Sequence, residues 1–205
     1  MFMAVGDAAH DSAPLQVSQF EADTRIVEQL TQIYIEHGGG GNDTESYNFP
    51  WYFAANHTVH DSIEKRGKRG YLFTVGDEEA PNDLTPGQIK RFLGDSPQTV
   101  PSTKELLETV QRFYDVYHIV IAEGSYARNH LKSVESSWRA LLGQRVITLA
   151  DHTKLAEVIV SAIEVAEGRD ARDSAAGWAG DAKTIVHDAI KNVPKGRAPL
   201  LGRSA

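Results

Sequence analysis

Four short runs of apolar residues constrain the fold of this chain more than any other feature. Each run is apolar almost throughout, rather than at alternate positions, and polar or small residues follow it. Continuous apolar runs of this length are typical of strands that are buried on both faces of a parallel sheet. We therefore predict four strands of one sheet, over Phe2–Gly6, Tyr71–Gly76, Tyr117–Ala122 and Val146–Ala150.

Segments with helical periodicity separate these runs, because their apolar residues recur at steps of three and four. The predicted helices are Gln19–His37, a helix from Glu45 or Asn48 to Thr58, Ser102–Tyr114, His130–Leu142 and Thr153–Ala166. Strands that alternate with helices predict an α/β fold. The expected architecture is a mostly parallel, doubly wound (Rossmann-like) sheet flanked by helices.

The composition changes after Gly168, which suggests a boundary. Residues 170–180 are rich in alanine, glycine and aspartate, Ala182–Asn192 has a helical pattern, and Pro194–Ala205 is basic and contains two prolines. We predict an α/β domain over residues 1–168, followed by a C-terminal helix and a mobile basic tail over residues 169–205. The tail is interpreted either as a frayed end or as a segment that docks on a partner.

Charge and residue content exclude several classes of protein. The 21 basic and 28 acidic residues give a net charge of −7, which argues against nucleic acid and anionic membranes as partners. The chain has no cysteine, so disulfides, thiol nucleophiles and cysteine-ligated zinc are excluded. No apolar run is long enough to span a membrane, and the first residues do not resemble a signal peptide. We therefore predict a cytoplasmic protein.

Acidic residues follow the predicted strands. Asp7, Asp77 and Glu123 come at the ends of the first three, and Asp151 follows the fourth. In open parallel sheets, ligands bind beyond the carboxyl ends of the strands. Each acid could instead cap a helix or close a turn. Because clustered carboxylates repel one another unless a cation compensates them, magnesium is the expected ligand if they act together.

A second feature is the glycine-rich segment Gly38–Ser46, which lies between two predicted helices. Four consecutive glycines end the first helix and allow unusual backbone angles. Thr44 follows just ahead of the next helix, where its hydroxyl could cap that helix or reach a metal. The segment is not a Walker phosphate loop, because it follows a helix and lacks Gly-Lys-Ser/Thr.

Taken together, the segments GGGGNDTES, GYLFTVGDE, YHIVIAEG and WRALLGQRVITLAD resemble the von Willebrand factor A (VWA) family over about Phe2 to Glu167. The resemblance implies a doubly wound sheet with a metal-ion-dependent adhesion site at its carboxyl edge. In that family an Asp-x-Ser-x-Ser run, a threonine and an aspartate hold a divalent cation, and a partner often adds a carboxylate. Thr44 matches the threonine and Asp77 the aspartate. Asp7 matches no standard ligand but is expected at the same edge.

The sequence departs from the family because Asp-x-Ser-x-Ser occurs nowhere in it. In the family that run follows the central strand, which would precede Met1. We therefore expect a VWA-like domain that is incomplete at its N-terminus. A missing central strand leaves unpaired sheet edges, which favours a strand from a partner protein or from a second copy of the chain. Magnesium binding by Thr44 and Asp77 alone would be weak or lost.

Three functional hypotheses follow from these observations. The first is a VWA-like protein-interaction or regulatory module with a divalent-cation site. That site would be vestigial if the protein has no central strand with its Asp-x-Ser-x-Ser run. The alternative is a small magnesium-dependent hydrolase or phosphotransferase, in which Asp7 and Asp77 hold the metal against a phosphorylated substrate. The third is a non-functional remnant. An enzyme should bind phosphate at the glycine-rich segment, whereas the module requires a partner that carries a carboxylate.

Overall fold

The computed structural model describes residues 1–36, 44–59 and 61–196. Its strands are β1 Met3–Val5, β2 Leu15–Val17, β3 Gly70–Gly76, β4 Tyr114–Ile121 and β5 Val146–Leu149. Its α-helices are α1 Arg25–Leu30, α2 Asn48–Asn56, α3 Asp61–Glu64, α4 Pro86–Leu93, α5 Thr103–Val110, α6 Ala127–Leu142, α7 Leu155–Ala166, α8 Ala171–Ala175 and α9 Ala182–Ile190.

The chain divides into two compact units. The first consists of Met1–Val59 and Ala80–Val110, and the second of His60–Glu79 and Gln111–Ala205. The prediction of one domain over residues 1–168 and an extension over 169–205 stays a prediction. Within the second unit, α8 and α9 pack into the same core as the parallel sheet, through Ala175, Val186 and Ile190. The predicted basic tail lies outside the described residues from position 197 onward.

The second unit contains a parallel sheet with strand order β3-β4-β5. Gly76 of β3 pairs with Val120 of β4, and Ile121 of β4 pairs with Leu149 of β5, so the carboxyl ends of the strands lie along one edge. Every residue of β4 except the last is buried, as expected for the middle strand of a parallel sheet.

Helices cover both faces of β4 and β5. On one face, Tyr117 and Ile119 belong to a core that includes residues of α7, α8 and α9. On the other face, the His118 imidazole stacks on Trp138 of α6, with 3.5 Å between ring centroids. The α/β class and the parallel sheet flanked by helices are thus confirmed, and the arrangement is compatible with a Rossmann-like fold. A specifically VWA-like fold stays a proposal.

A buried charge network joins the amino ends of the three parallel strands. Asp115, at the start of β4, is 1% exposed in its side chain and pairs with Arg69, which precedes β3, at 2.9 Å. Its Oδ1 atom also accepts a hydrogen bond of 3.4 Å from Arg145, which precedes β5. One carboxylate therefore holds the chain where each strand begins.

The first unit is built differently. Strands β1 and β2 form a separate two-stranded antiparallel sheet. Helix α2 packs against α5, and its residues Phe49 and Trp51 are fully buried. The Asn48 side chain donates hydrogen bonds to the Asn82 carbonyl at 2.7 Å and to the Thr103 hydroxyl at 2.9 Å.

The prediction that the first apolar run belongs to the parallel sheet is wrong. Met3–Val5 forms a strand, but its partner is Leu15–Val17 and the pairing is antiparallel. The intervening segment folds back on itself, because the Gly6 N–H donates to the Pro14 carbonyl and the Asp7 N–H to the Asp11 carboxylate. An apolar run indicates a strand but does not specify the segment with which it pairs.

The predicted helix Gln19–His37 is also largely wrong. Only Arg25–Leu30 is helical within the described part of that segment, and none of its residues is buried. Val27 and Tyr34, two of the apolar residues that recur at helical spacing in this segment, are 57% and 58% exposed. An amphipathic pattern stabilises a helix chiefly when its apolar face packs against a core, and α1 lacks that support within the first unit.

The remaining predicted helices agree with the structure to within a few residues. Helix α2 starts at Asn48, and Pro50 lies in its first turn, where proline is tolerated. Ser102 and Glu105 form the reciprocal hydrogen bonds of a capping box at α5. Helices α3, α4 and α8 have no counterpart among the predicted elements.

Candidate functional site

The carboxyl edge of the parallel sheet carries acidic side chains after each of its strands. Asp77 follows β3, Glu123 follows β4 and Asp151 follows β5. Glu123 and Asp151 each lie two residues beyond the paired residues Ile121 and Leu149, so the register itself brings them side by side. The clustering expected from the strand ends is therefore present for these two acids.

Asp77 is half-buried and contacts the loop that follows β4. Its Oδ2 atom accepts a hydrogen bond of 2.9 Å from the Tyr126 N–H and one of 3.4 Å from the Ser125 hydroxyl. A Cβ atom added to Gly124 would overlap the Asp77 side chain, so glycine is needed at that position for the observed contact. Because Tyr126 immediately precedes α6, the carboxylate also lies at the favourable, positive end of that helix.

Glu123, Asp151 and His152 form a compact group of potential metal ligands. One ligand atom from each residue lies within 4.8 Å of the other two. The side chains are accessible, at 43% exposure for Glu123 and 67% for His152. A cation bound here would keep coordination positions open toward a second molecule.

Hydrogen bonds order this group. The His152 N–H donates to Glu123 Oε1 at 2.8 Å, and the His152 Nδ1 atom pairs with the same oxygen. Asp151 accepts hydrogen bonds from the N–H and the hydroxyl of Thr153, at 2.9 and 2.7 Å. The loop after β5 therefore presents Asp151 and His152 in defined orientations.

These contacts also shift the protonation equilibria. The hydrogen bonds from the backbone and the ring of His152 lower the pKa of Glu123, and those from Thr153 lower the pKa of Asp151. The hydrogen bond to Glu123, with its negative charge, raises the pKa of His152. Both carboxylates are thus held ionised, as metal binding requires, whereas the imidazole must lose a more tightly held proton.

The predicted ligands Asp7 and Thr44 belong to the first unit, and Asp77 belongs to the second. Asp7 is 4% exposed, and its carboxylate accepts a hydrogen bond from the Ala9 N–H and pairs with His10. The Thr44 hydroxyl accepts a long hydrogen bond of 3.5 Å from the Asn82 side-chain amide. Asp7 was expected at the carboxyl edge of the parallel sheet because it follows an apolar run. Since β1 is outside that sheet, this reason no longer applies to Asp7. Cation binding by these three residues stays a prediction.

His152 is not among the ligands predicted from the sequence. The available signal was its position directly after a strand-end acid, because imidazole is a common metal ligand. The glycine-rich segment Gly38–Ser46, at which the alternative enzyme should bind phosphate, lies outside the described residues at positions 38–43.

The chemistry of the donors tests the expectation of magnesium. Magnesium prefers oxygen ligands and near-octahedral geometry, and the carboxylates of Asp77, Glu123 and Asp151 satisfy the first requirement. An imidazole suits zinc better than magnesium. The group that includes His152 therefore fits a transition-metal ion, and magnesium fits it less well.

Comparisons with known proteins found no match to any family model, curated protein or solved structure. No helix within residues 1–36, 44–59 and 61–196 is long and apolar enough to cross a membrane. The cytoplasmic location stays a prediction.

Proposed function

We propose that this chain is a VWA-like protein-interaction module that holds a divalent cation at the carboxyl edge of its parallel sheet. One observation carries the proposal: an acidic residue follows each strand of that sheet, as Asp77, Glu123 and Asp151. This is the edge at which open α/β sheets bind their ligands. The resemblance in sequence around Gly70–Glu78 supports the same edge.

The group of Glu123, Asp151 and His152 supports cation binding in its own right. Its ligand atoms are close enough to share one ion, and the two carboxylates are favoured in their ionised forms. Its exposure leaves room for a carboxylate of the partner to complete the coordination. In this proposal the cation bridges two proteins, and no covalent chemistry takes place.

The cation is expected to bind in competition with a proton on His152. Glu123 raises the pKa of that imidazole, so acidification protonates the ring, and a protonated ring cannot bind a metal. Metal affinity should therefore fall as the pH decreases. The imidazole also predicts that Zn²⁺ binds more tightly than Mg²⁺, and Mn²⁺ should bind less tightly than Zn²⁺.

Calorimetric titration of the metal-free protein with Mn²⁺, Zn²⁺ and Mg²⁺ tests the proposal. We expect Glu123→Gln, Asp151→Asn and His152→Gln each to weaken the tightest interaction by about tenfold or more. The same titration of Thr44→Val and Asp77→Asn measures whether the two ligands that the resemblance implies contribute to metal affinity. The matched control is Glu108→Gln, which neutralises an exposed acid of α5 and should leave the affinity unchanged.

The interaction step is tested with a short aspartate-containing peptide and its asparagine counterpart. Binding of the aspartate peptide should require the metal and disappear in EDTA. Absence of saturable metal binding, or equal affinity in the control and the ligand variants, would refute the cation site. Magnesium-dependent release of phosphate from a phosphate ester, abolished by Asp77→Asn, would replace the module by the hydrolase considered from the sequence.

A further inference from the structure

A concave surface of the second unit is lined by residues of α8, the residue after it and α9. This groove has a volume of about 450 Å³. That volume is within the range of pockets that hold small organic ligands and is small for a folded partner. We call it the α8–α9 groove.

Basic residues dominate the rim of the α8–α9 groove. Arg172, Lys183 and His187 line it, with Asp173 as the acidic residue among the lining side chains. This local excess of positive charge contrasts with the net charge of −7 on the whole chain. Within the described part of the chain, neither the Arg172 guanidinium nor the Lys183 ammonium forms an ion pair or a side-chain hydrogen bond.

Two acids that are near the groove residues in sequence have lysine partners outside the groove. Asp170 pairs with Lys195 at 2.7 Å, and Asp188 pairs with Lys191 at 3.1 Å. Lys195 contributes most to lowering the pKa of Asp170, and the Arg172 charge lowers it further. Asp188 also lies 3.8 Å from the His187 ring, so these acids offset the positive charge of the groove only in part.

The remaining lining residues suit a ligand with a small apolar body. Ala175 and Ala176 line the groove, and of the two Ala176 is the exposed one. Thr184 adds a hydroxyl group in the first turn of α9, near the positive end of that helix.

The two helices that form the groove are held firmly. Val186 and Ile190 of α9 are fully buried in the core. The Ser174 hydroxyl of α8 donates to the Glu164 carboxylate at 2.5 Å. The cationic side chains therefore extend from elements that need little rearrangement to bind a ligand.

We infer that the α8–α9 groove binds a small phosphate monoester. A guanidinium fork, an ammonium point charge and a hydroxyl match a group that has three acceptor oxygens and nearly two negative charges. A carboxylate offers only two oxygens and one charge, so it is a poorer match to these donors. Ala176 contacts the organic part of the ligand. This inference is independent of the cation site and of the proposed function.

The probe is phenyl phosphate, titrated in the presence of EDTA so that metal binding does not contribute. We expect saturable binding to the full chain and a loss of about tenfold in affinity for Arg172→Gln and for Lys183→Gln. Ala176→Leu should also weaken binding, because it fills the apolar part of the groove. Lys104→Gln is the matched control, since it removes an exposed lysine of α5, and it should bind as the wild type does.

Two further ligands separate the chemical classes. Benzoate has the same ring with a carboxylate, and phenol has the ring without an anion, and both should bind more weakly than phenyl phosphate. Equal binding of benzoate, or equal loss in Lys104→Gln, would overturn the inference. A phosphotyrosine peptide that binds more tightly than phenyl phosphate would overturn the assignment to a small molecule. Thermal unfolding of each variant confirms that it is folded.

Discussion

At the scale of single residues, the buried imidazole of His118 shows how the sheet affects protonation. The ring is fully buried, its Nδ1 atom lies 2.8 Å from the Thr74 hydroxyl, and its face stacks on Trp138. Burial lowers the pKa of His118 well below its usual value, because the protonated form loses its hydration. The neutral ring is therefore the form that the native structure accommodates.

This environment predicts a loss of stability in acid. The pKa of His118 is lower in the folded chain than in the unfolded chain, so its stabilising effect is complete above the unfolded value of about 6.5. As the pH falls below that value, the unfolded chain takes up the proton first. The free energy of unfolding should then decrease by up to about 1.4 kcal/mol per pH unit.

Urea unfolding of the wild type and of His118→Phe between neutral and mildly acidic pH measures the effect. Phenylalanine retains a ring against Trp138 but cannot be protonated, so the decrease in acid should be smaller. His130→Gln, which removes an exposed histidine, should behave as the wild type does. An identical pH dependence in all three proteins would show that His118 is not responsible.

The same scale shows what could be predicted about the candidate site. Glu123 and Asp151 were recognisable from the sequence, because each follows an apolar run. Their approach to one ion depends on the pairing of Ile121 with Leu149, which no local pattern encodes. The contact between His152 and Glu123 likewise spans two loops that are distant in sequence.

At the scale of elements, α4 begins and ends at strong local signals in the sequence, although it is absent from the predicted helices. Thr85 accepts a hydrogen bond from the Gln88 N–H at 3.2 Å, and the Gln88 side chain accepts one from the Thr85 N–H at 2.8 Å. Pro86 occupies the first turn and Gly94, in a left-handed conformation, ends the helix. Thr-Pro-x-Gln followed by glycine is the complete set of start and stop signals for a helix.

Removal of this cap should destabilise the chain modestly. Thr85→Ala deletes the hydroxyl that satisfies a backbone donor of α4, and caps of this kind contribute about 1 kcal/mol. Urea unfolding should show that decrease, and Gln88→Ala should produce part of it. Thr109→Ala removes a hydroxyl that bonds within α5 and should change stability by less than about 0.5 kcal/mol. A Thr85→Ala protein as stable as this control would contradict the capping role.

At the scale of the whole molecule, Asp115 connects segments that are far apart in the chain. Its carboxylate meets Arg69 and Arg145, and the side chains of Asp115 and Arg69 are 1% and 4% exposed. A buried ion pair becomes costly when one partner is removed, because the other charge loses its compensation. This network holds the amino ends of the strands whose carboxyl ends carry the candidate site.

Asp115→Asn should therefore lower the free energy of unfolding by about 3 kcal/mol or more. The reference is Asp61→Asn, which breaks the exposed pair with Lys65 and should cost less than about 1 kcal/mol. The double variant Asp115→Leu with Arg69→Met removes the two most buried charges, leaves the less buried Arg145 unpaired, and should recover part of the loss. Equal effects of Asp115→Asn and Asp61→Asn in urea unfolding would show that the network contributes little.

The sequence by itself determined the class of fold, the three strands of the parallel sheet and most of its helices, because these depend on local periodicity and capping. It also determined which strands end in acids. The tertiary structure alone decided that Met3–Val5 pairs with Leu15–Val17, that α1 is short, and that Glu123 meets Asp151 and His152. The physical reason is that strand pairing, register and burial are properties of contacts between distant segments, to which a local pattern contributes only one side.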